Sequence, residues 1–435
     1  MLSAAFLASC SDDIVKIYAE LEEEILTDMA RRLAKMGESP ASTWQAQIYK
    51  DIGGVGTDIK RIISKYDAET QKTLLKLFDE TLSKSEKKDM SLVKDAKRYM
   101  TANQRQLLET MLKNQQSTPM VYITSKQYKT IREQIALEKG IDIDEVKYTE
   151  VRDRVLKSSA LNTFSNLSRL TQTIASTGQT QFTNAVNKAY MKTMTGAFSW
   201  DTSIKQAINE LTMQGLYTVE YTDSGRVINR SVEAAVRMNV MTGLNKQATR
   251  QTLANCDTVD SDLVEVSAHM DARDVDVDGR PWANHAAWQG KVYCLNGERD
   301  YLDEDGNTRH AYNFYDVCHP DEVDGIGGIN CRHSFYPYFE GSHLLYQDDL
   351  DEYQNTVTLN GKEMSQYQAE QKLRAVERTI RKYKRVYQAQ SVFDKNSAEA
   401  KRALGKVRQW QGAARDICQQ TGIRRDYTRE YIGKI

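Results

Sequence analysis

Apolar residues recur at helical spacing near the start of the chain, three or four positions apart: Ile14, Ile17, Tyr18, Leu21, Ile25, Met29, Leu33 and Met36. Such spacing places them along one face of a helix. Ser11-Asp12-Asp13 supplies a cap and an acidic first turn, and Gly37 supplies a stop. We therefore predict an amphipathic helix from Asp12 to Gly37. Helical patterning continues through residues 43–115, where lysine-rich polar faces are typical of a solvated helical bundle.

Residues 158–215 are rich in Thr, Asn and Gln, and their pattern predicts further helices that end at Gly215. Two runs of β-forming residues follow, 216–221 and 226–230, on either side of a Thr-Asp-Ser-Gly turn sequence. This arrangement predicts a β-hairpin. Another helix is predicted from Val232 to about Thr252.

The pattern changes at Leu263 to short runs of alternating polarity. In LVEVSAH, residues 263–269, apolar Val and Ala alternate with Glu, Ser and His, which predicts a strand with one polar face. KVYCL (residues 291–295) and SFYPYF (residues 334–339) are further strand candidates between turns rich in Gly and Asp. The pattern indicates a small β-rich domain within a helical protein.

The helical period returns after about Tyr353. A first helix carries apolar residues at a 3-4-3-4 spacing, and a second is predicted from about Ser397 to Thr421. The first helix also carries six cations that are candidates for contact with phosphate or with an acidic partner: Arg374, Arg378, Arg381, Lys382, Lys384 and Arg385. The alternative is a helical hairpin whose basic side chains extend along its own apolar surface.

These patterns predict an α+β protein that is mainly α. A chain of 435 residues exceeds what one hydrophobic core usually serves, so several domains are expected. The predicted segments are a helical N-terminal body (1–157), a helical region with a β-hairpin near 216–230 (158–255), a β-rich domain (256–350) and a C-terminal helical hairpin (351–435).

Charge is distributed unevenly among these segments. Residues 256–350 hold 20 acidic and 6 basic side chains, whereas residues 351–435 hold 18 basic and 10 acidic ones. An acidic middle and a basic tail are expected either to pack together or to face different partners. No run approaches the roughly 20 apolar residues of a membrane helix, so no membrane role is expected. No Lys or Arg precedes Cys10, so no lipoprotein signal peptide is expected. Without a secretory signal, the six cysteines are expected to be reduced thiols and not a disulfide framework.

All six histidines lie between His269 and His343, together with three of the six cysteines. Structural zinc usually takes its ligands in closely spaced pairs. The candidates by spacing are Cys318, His319, Cys331 and His333. Neighbouring residues of a strand point to opposite faces, so Cys318 and His319 would bind one ion only from a loop. We expect no cofactor, with zinc kept as an alternative.

A second hypothesis assigns chemistry to overlapping residues. If His269, Arg273, His285 and His333 converge in one cleft, they suit general acid–base catalysis on a phosphodiester, with Arg332 or Lys291 stabilising the anion. A third hypothesis is structural: Trp288 fills the core, His285 donates to a backbone carbonyl, and Arg332 pairs with a nearby acid. The sequence has no P-loop and no H-E-x-x-H motif.

Two motifs stand out in the β-rich domain, His-x-x-Trp-Gln-Gly at residues 285–290 and Asn-Cys-Arg-His at residues 330–333. Their residues are His285, Trp288, Gln289, Gly290, Asn330, Cys331, Arg332 and His333. With residues 12–37, 188–211 and 263–269 they form an ordered set that resembles the phage minor capsid protein 2 family, related to the Mu gpF-like head-morphogenesis group. The chain departs from the family pattern in a longer, acidic link at 270–284 and in residues 317–320.

The resemblance implies a structural component of the phage head. Such a protein assembles in the host cytoplasm with the portal and other capsid proteins and is found in the virion, where packaged DNA is a further candidate partner. The resemblance also leaves an alternative, in which residues 263–341 form a nuclease-like or zinc-binding enzyme domain carried by a head protein.

Overall fold

A computed structural model describes residues 2–38, 44–117, 125–195, 198–223, 226–277, 279–320, 322–346 and 356–433. The chain divides into two compact units. Unit 1 comprises Met1–Ser11, Leu74–Thr163 and Met238–Thr356, and unit 2 comprises Asp12–Thr73, Phe164–Arg237 and Val357–Ile435. The four predicted segments remain a prediction of domain organisation.

Helices account for most of the fold. In chain order they are α1 (Ala4–Ser9), α2 (Asp12–Glu38), α3 (Trp44–Asp95), α4 (Ala102–Ser117), α5 (Ser125–Lys139), α6 (Tyr148–Met194), α7 (Trp200–Gln214), α8 (Val232–Thr258), α9 (His285–Trp288), α10 (Phe314–Cys318), α11 (Gln366–Asp394) and α12 (Ala398–Thr421). The predicted mainly α class is confirmed. In the parts of the chain that the structure covers, no helix is both long and apolar enough to cross a bilayer.

The strands are β1 (Tyr217–Asp223), β2 (Arg226–Ser231), β3 (Leu263–Val266), β4 (Val292–Cys294), β5 (Arg299–Leu302), β6 (Thr308–Asn313), β7 (Phe335–Tyr338), β8 (Thr356–Leu359) and β9 (Lys362–Ser365). β1 and β2 pair antiparallel, which confirms the predicted hairpin. Residues 224 and 225 of its predicted turn lie outside the described residues.

The β-rich part of unit 1 is a five-stranded sheet in the order β5-β6-β4-β3-β7. β4 and β6 run parallel, and the other neighbours pair antiparallel. β3 lies between β4 and β7, with Val264 opposite Tyr293 on one side and Pro337 on the other. The predicted strands at 263–269, 291–295 and 334–339 are therefore present and adjacent.

The polar face predicted for the first of these strands is not exposed. All four residues of β3 are buried, and Glu265 has no exposed surface. A central strand that is covered on both faces buries polar and apolar positions alike, so the alternation of LVEVSAH did not reveal solvent exposure. The carboxylate of Glu265 instead accepts hydrogen bonds from the backbone N–H groups of Leu345 and Tyr346, each 3.2 Å away.

One apolar cluster fills the space against this sheet. Trp288, Phe314 and Phe335 pack there with buried cysteines and aliphatic residues of β3 and α8. The rings of Phe314 and Phe335 lie 4.7 Å apart between centroids. This cluster supports the segments that carry the histidines.

Unit 2 contains the C-terminal hairpin of α11 and α12, as the sequence predicts. Ser365 and Ser397 cap the two helices by accepting hydrogen bonds from the N–H groups of Gln368 and Ala400. The helices pack through an apolar seam that includes Leu373, Ile380, Val407 and Ala414. Gly422, with a φ of 73°, ends α12 in the left-handed conformation that glycine adopts easily.

Candidate functional site

Three histidines and one cysteine of unit 1 converge from separate segments. His269 follows β3, His285 begins α9, and Cys331 and His333 lie just before β7. The ring centroids of His269 and His333 are 4.2 Å apart, and those of His285 and His333 are 5.3 Å apart. Pairing of β3 with β7 brings the first and last of these segments together. We call His269, His285, Cys331 and His333 the His/Cys cluster.

The ligating atoms of His285, Cys331 and His333 lie within 4.8 Å of one another. Sγ of Cys331 lies 3.7 Å from Nδ1 of His333. A thiol and neutral imidazoles are typical zinc ligands, so the donor set is chemically suited to a metal.

Hydrogen bonds fix the orientation of each imidazole. Nε2 of His285 donates to the carbonyl oxygen of Asp324 over 2.8 Å. Nε2 of His333 lies 3.1 Å from Oε1 of Gln289, and Nδ1 of His269 lies 2.7 Å from Oδ1 of Asp271. Since a carbonyl oxygen can only accept, Nε2 of His285 must carry the proton, and the amide oxygen of Gln289 requires the same of His333.

Two arginines hold the loops around the cluster. Arg273 donates from its guanidinium to the carbonyl oxygens of Asp324 and Ile329, over 3.3 and 2.8 Å. Arg332 forms an ion pair with Asp271, the residue that orients His269. Arg332 therefore pairs with an acid, as the structural hypothesis predicted, and Arg273 acts on the loop backbone next to His285.

Burial controls the charge of the cluster. His285 and His333 are each only 2% exposed. Burial, followed by repulsion from Arg332, lowers the pKa of His269 to about 3, and burial followed by repulsion from Arg273 lowers the pKa of His285 to about 3. Burial also holds the pKa of His333 well below its usual value. All three imidazoles are therefore neutral near pH 7.

The predicted catalytic residues do come together, but His285 and His333 are buried and His269 and Arg273 are only partly exposed. The ring of His333 contacts those of His269 and His285, and Arg273 donates to the same carbonyl oxygen of Asp324 that His285 binds. Acid–base catalysis needs a group within hydrogen-bonding reach of the substrate. With only 2% of His285 and of His333 exposed, these two imidazoles do not reach a substrate in this conformation, and the catalytic role of the set stays a prediction.

The structure divides the four predicted metal ligands into two pairs. Cys331 and His333 belong to the His/Cys cluster, whereas the ring of His319 stacks on Trp282 with centroids 4.0 Å apart. Cys318, at the end of α10, is buried in the apolar core. Spacing alone did not select His285, whose ligating atom lies near those of Cys331 and His333, since 46 residues separate it from Cys331 in the sequence.

The remaining motif residues shape this core. Nε1 of Trp288 donates to the carbonyl oxygen of Trp282 over 2.9 Å, and the hydroxyl of Tyr293 donates to the carbonyl of Trp288 over 2.8 Å. Gly290 and Asn330 both have positive φ, 66° and 56°, in the left-handed region that glycine and asparagine tolerate best. Gln289 binds His333 and also accepts from the backbone N–H of His269 over 3.0 Å.

A surface cavity of about 720 Å³ is lined in part by Trp288. Aromatic and charged residues line it, among them Trp282, Tyr301, Asp303 and His310. None of the described residues that line it belongs to the His/Cys cluster. The cavity is thus separate from the buried histidines.

The six predicted phosphate contacts on α11 are mostly engaged within unit 2. Arg381 and Arg385 are buried and pair with Glu233 and Glu22, over 2.9 and 3.1 Å. Arg374 pairs with two glutamates of its own helix, and Lys384 donates to the carbonyl of Glu430 over 2.7 Å. Arg378 and Lys382 are exposed. These contacts favour the packing alternative for most of α11.

The neighbouring helix α12 carries an exposed basic face that the sequence analysis did not select. Its members are Lys401, Arg402, Lys406, Arg408 and Arg415. None of the five forms an ion pair with another described residue, and Lys406 donates a hydrogen bond to Gln409 over 3.0 Å. The sequence signal was the seven-residue interval from Lys401 to Arg408 to Arg415, which puts the three side chains on one side of a helix. We call these five residues the α12 basic face.

The chain matches one phage protein and one protein family among known proteins. A protein of Lactococcus phage mv4 named "Structural protein" is 35% identical over 112 residues, which is 26% of this chain and 84% of that relative. No solved structure matches the chain. The sequence profile of phage minor capsid protein 2 matches residues 2–120 and 120–419. The profile covers nearly the whole chain, so this protein belongs to the phage minor capsid protein 2 family.

Proposed function

We propose that this chain is a head component that assembles with the portal and other capsid proteins and contacts the packaged DNA through the α12 basic face. Membership of the phage minor capsid protein 2 family makes it a phage structural protein of the virion. The observation that carries the finer proposal is the exposed cationic surface of α12, which contrasts with the internally paired cations of α11.

The spacing of the α12 basic face suits a phosphate backbone. Residues seven apart on a helix are separated by about 10 Å along its axis, so Lys401, Arg408 and Arg415 extend over about 20 Å. Phosphates attract such cations mainly through the release of condensed counterions. This attraction does not depend on base sequence, which fits a protein that meets DNA of any composition inside a head.

Burial of the His/Cys cluster supports a structural function over an enzymatic one. A nuclease-like function would need an imidazole that reaches a phosphodiester, whereas His285 and His333 face the interior. Their hydrogen bonds to Asp324 and Gln289 hold segments of the domain together. The geometry therefore favours a domain whose polar interior maintains its shape.

The proposal is tested by quantitative mass spectrometry of purified virions before and after DNA ejection, combined with chemical crosslinking. We expect the chain in full heads in a small, fixed ratio to the portal, with crosslinks from α12 lysines to portal subunits or internal proteins near the DNA. The α12 crosslinking pattern should change once the DNA has left.

The matched control is the set of crosslinks made by exposed lysines of α3, which should be the same in full and empty heads. Absence of the chain from purified virions would refute the proposed head role. A chain that is present but shows the same α12 crosslinks in full and empty heads would refute the DNA contact.

A further inference from the structure

The hydrogen bonds of the His/Cys cluster leave one ring nitrogen of His285 and one of His333 with a free lone pair. In His285 and His333 the proton on Nε2 is committed to Asp324 and Gln289, which leaves Nδ1 of each ring as the nitrogen with a free lone pair. Nδ1 of His333 is the atom that faces Sγ of Cys331. Metal-binding histidines in proteins are oriented in the same way, by a hydrogen bond from the nitrogen that does not bind the ion.

A fourth candidate donor, His269, lies beside His333. The ring of His269 lies against that of His333, and its Nδ1 is held by the carboxylate of Asp271. Its Nε2 is buried and has no hydrogen-bond partner within the described part of the chain. A buried polar atom without a partner is costly, so an unpaired nitrogen here calls for an explanation.

The separations suit a small ion after minor adjustment. A point equidistant from three atoms that are 4.8 Å apart would lie about 2.8 Å from each, and Zn²⁺ binds nitrogen at about 2.0 Å and sulfur at about 2.3 Å. Each donor then moves inward by less than about 1 Å. The 3.7 Å between Cys331 and His333 already matches the roughly 3.6 Å edge of a tetrahedral N–Zn–S pair.

We propose that His285, Cys331 and His333 bind one zinc ion, with Nε2 of His269 as the fourth ligand. The set of three imidazoles and one thiolate favours zinc over magnesium or calcium, which prefer oxygen ligands. On binding, the thiol of Cys331 releases its proton to solvent and the sulfur takes up the metal bond. Four protein ligands fill the tetrahedron, so the ion is structural.

The ion would join three parts of the β-rich domain. It links the end of β3, the start of α9 and the segment before β7, and the outermost ligands, His269 and His333, are 64 residues apart in the chain. The acidic turns between them supply few apolar side chains. A metal crosslink of this kind constrains the segments that a small core holds weakly.

The test uses the purified full-length chain, stripped with a chelator and titrated with Zn²⁺ and, separately, Co²⁺. We expect one metal per chain by elemental analysis. We also expect a thiolate-to-cobalt charge-transfer band in the near ultraviolet, and a higher melting temperature when zinc is present. Cys331→Ser should abolish the charge-transfer band, and His269→Ala should weaken Zn²⁺ binding at least tenfold.

The matched control is Cys256→Ser, because Cys256 is buried in the same apolar core but is not a member of the His/Cys cluster. This variant should keep the stoichiometry and the cobalt spectrum of the parent chain. The unsubstituted chain tests the proposal even if a variant fails to fold. If the unsubstituted chain binds no stoichiometric metal, or binds Co²⁺ without a thiolate band, the proposal is wrong. An unchanged zinc affinity in a folded His269→Ala variant would refute the fourth ligand.

Discussion

Single residues in the β-rich domain show how burial overrides polarity. Glu265 occupies a position that the alternating pattern assigned to a polar face, yet no part of it is exposed. Its burial raises its pKa to about 7, although the N–H groups of Leu345 and Tyr346 stabilise the charged form. The free energy of unfolding therefore depends on the protonation state of this buried carboxyl group.

Replacement of Glu265 by glutamine is expected to remove one pH-dependent contribution to stability. The folded chain retains this proton up to about pH 7, whereas the unfolded chain loses it near pH 4.5, so stability falls as pH rises between these values. Titration of Glu265 is predicted to lower the free energy of unfolding of the parent chain by about 3 kcal/mol over this range. This contribution is absent in Glu265→Gln. Urea unfolding at pH 5 and pH 8 measures the difference between the two proteins.

A suitable control for this prediction is Asp305→Asn, because Asp305 is an exposed acid in a turn of the same domain. It should unfold with the pH dependence of the parent chain. Identical pH dependence in the parent and in Glu265→Gln would show that the buried carboxyl group does not titrate as predicted.

At the scale of elements, helix α11 shows what periodicity could and could not predict. The apolar spacing from Leu373 to Tyr387 correctly predicted the helix and its packing seam. It gave no information on which cations would meet acids, because Glu22 and Glu233 are distant in sequence from Arg385 and Arg381. Arg381 and Arg385 of α11 therefore bind acids of other elements of unit 2, as Lys384 binds the carbonyl of Glu430.

Arg385→Ala is expected to destabilise unit 2 by about 3 to 5 kcal/mol, because it leaves the carboxylate of Glu22 buried without its partner. Arg378→Ala, a matched change at an exposed position of the same helix, should change stability by less than about 0.5 kcal/mol. Urea unfolding followed by circular dichroism measures both. Equal effects of the two substitutions would contradict the internal role that we assign to Arg385.

At the scale of the whole molecule, the formal net charge is only −1, so the chain as a whole offers no attraction to DNA. Any affinity for DNA must therefore come from a local basic surface. The α12 basic face provides such a surface, since its cations are exposed and form no ion pair with an acid among the described residues. The prediction that follows concerns the salt dependence of DNA binding by the intact protein.

Substitution of Lys401, Arg408 and Arg415 by alanine is expected to weaken double-stranded DNA binding and to reduce the slope of log affinity against log salt by about 2 to 3. Fluorescence anisotropy between low and moderate salt measures the slope. The control removes three exposed cations elsewhere in unit 2: Lys60, Lys72 and Arg169. A slope that is unchanged in the α12 variant, or reduced equally in the control, would show that α12 does not meet the phosphates.

Much of this architecture was determined by the sequence alone. The amphipathic helix from Asp12, the hairpin at β1 and β2, the strands around LVEVSAH and the C-terminal helical hairpin were all predicted, because periodicity, caps and turn residues act over a few neighbouring positions. The ordered motifs also sufficed to identify the phage minor capsid protein 2 family.

Only the tertiary structure decided which polar residues meet. It places His285 close to Cys331 and His333, and it places His319 against Trp282 instead. It also buries Arg381 and Arg385 and leaves the cations of α12 exposed. Such choices depend on contacts between residues tens to hundreds of positions apart, and these contacts are set by strand order and helix packing. The spacing of residues along the chain does not predict these long-range contacts, because the same local pattern is compatible with a buried ion pair and with a solvent-exposed face.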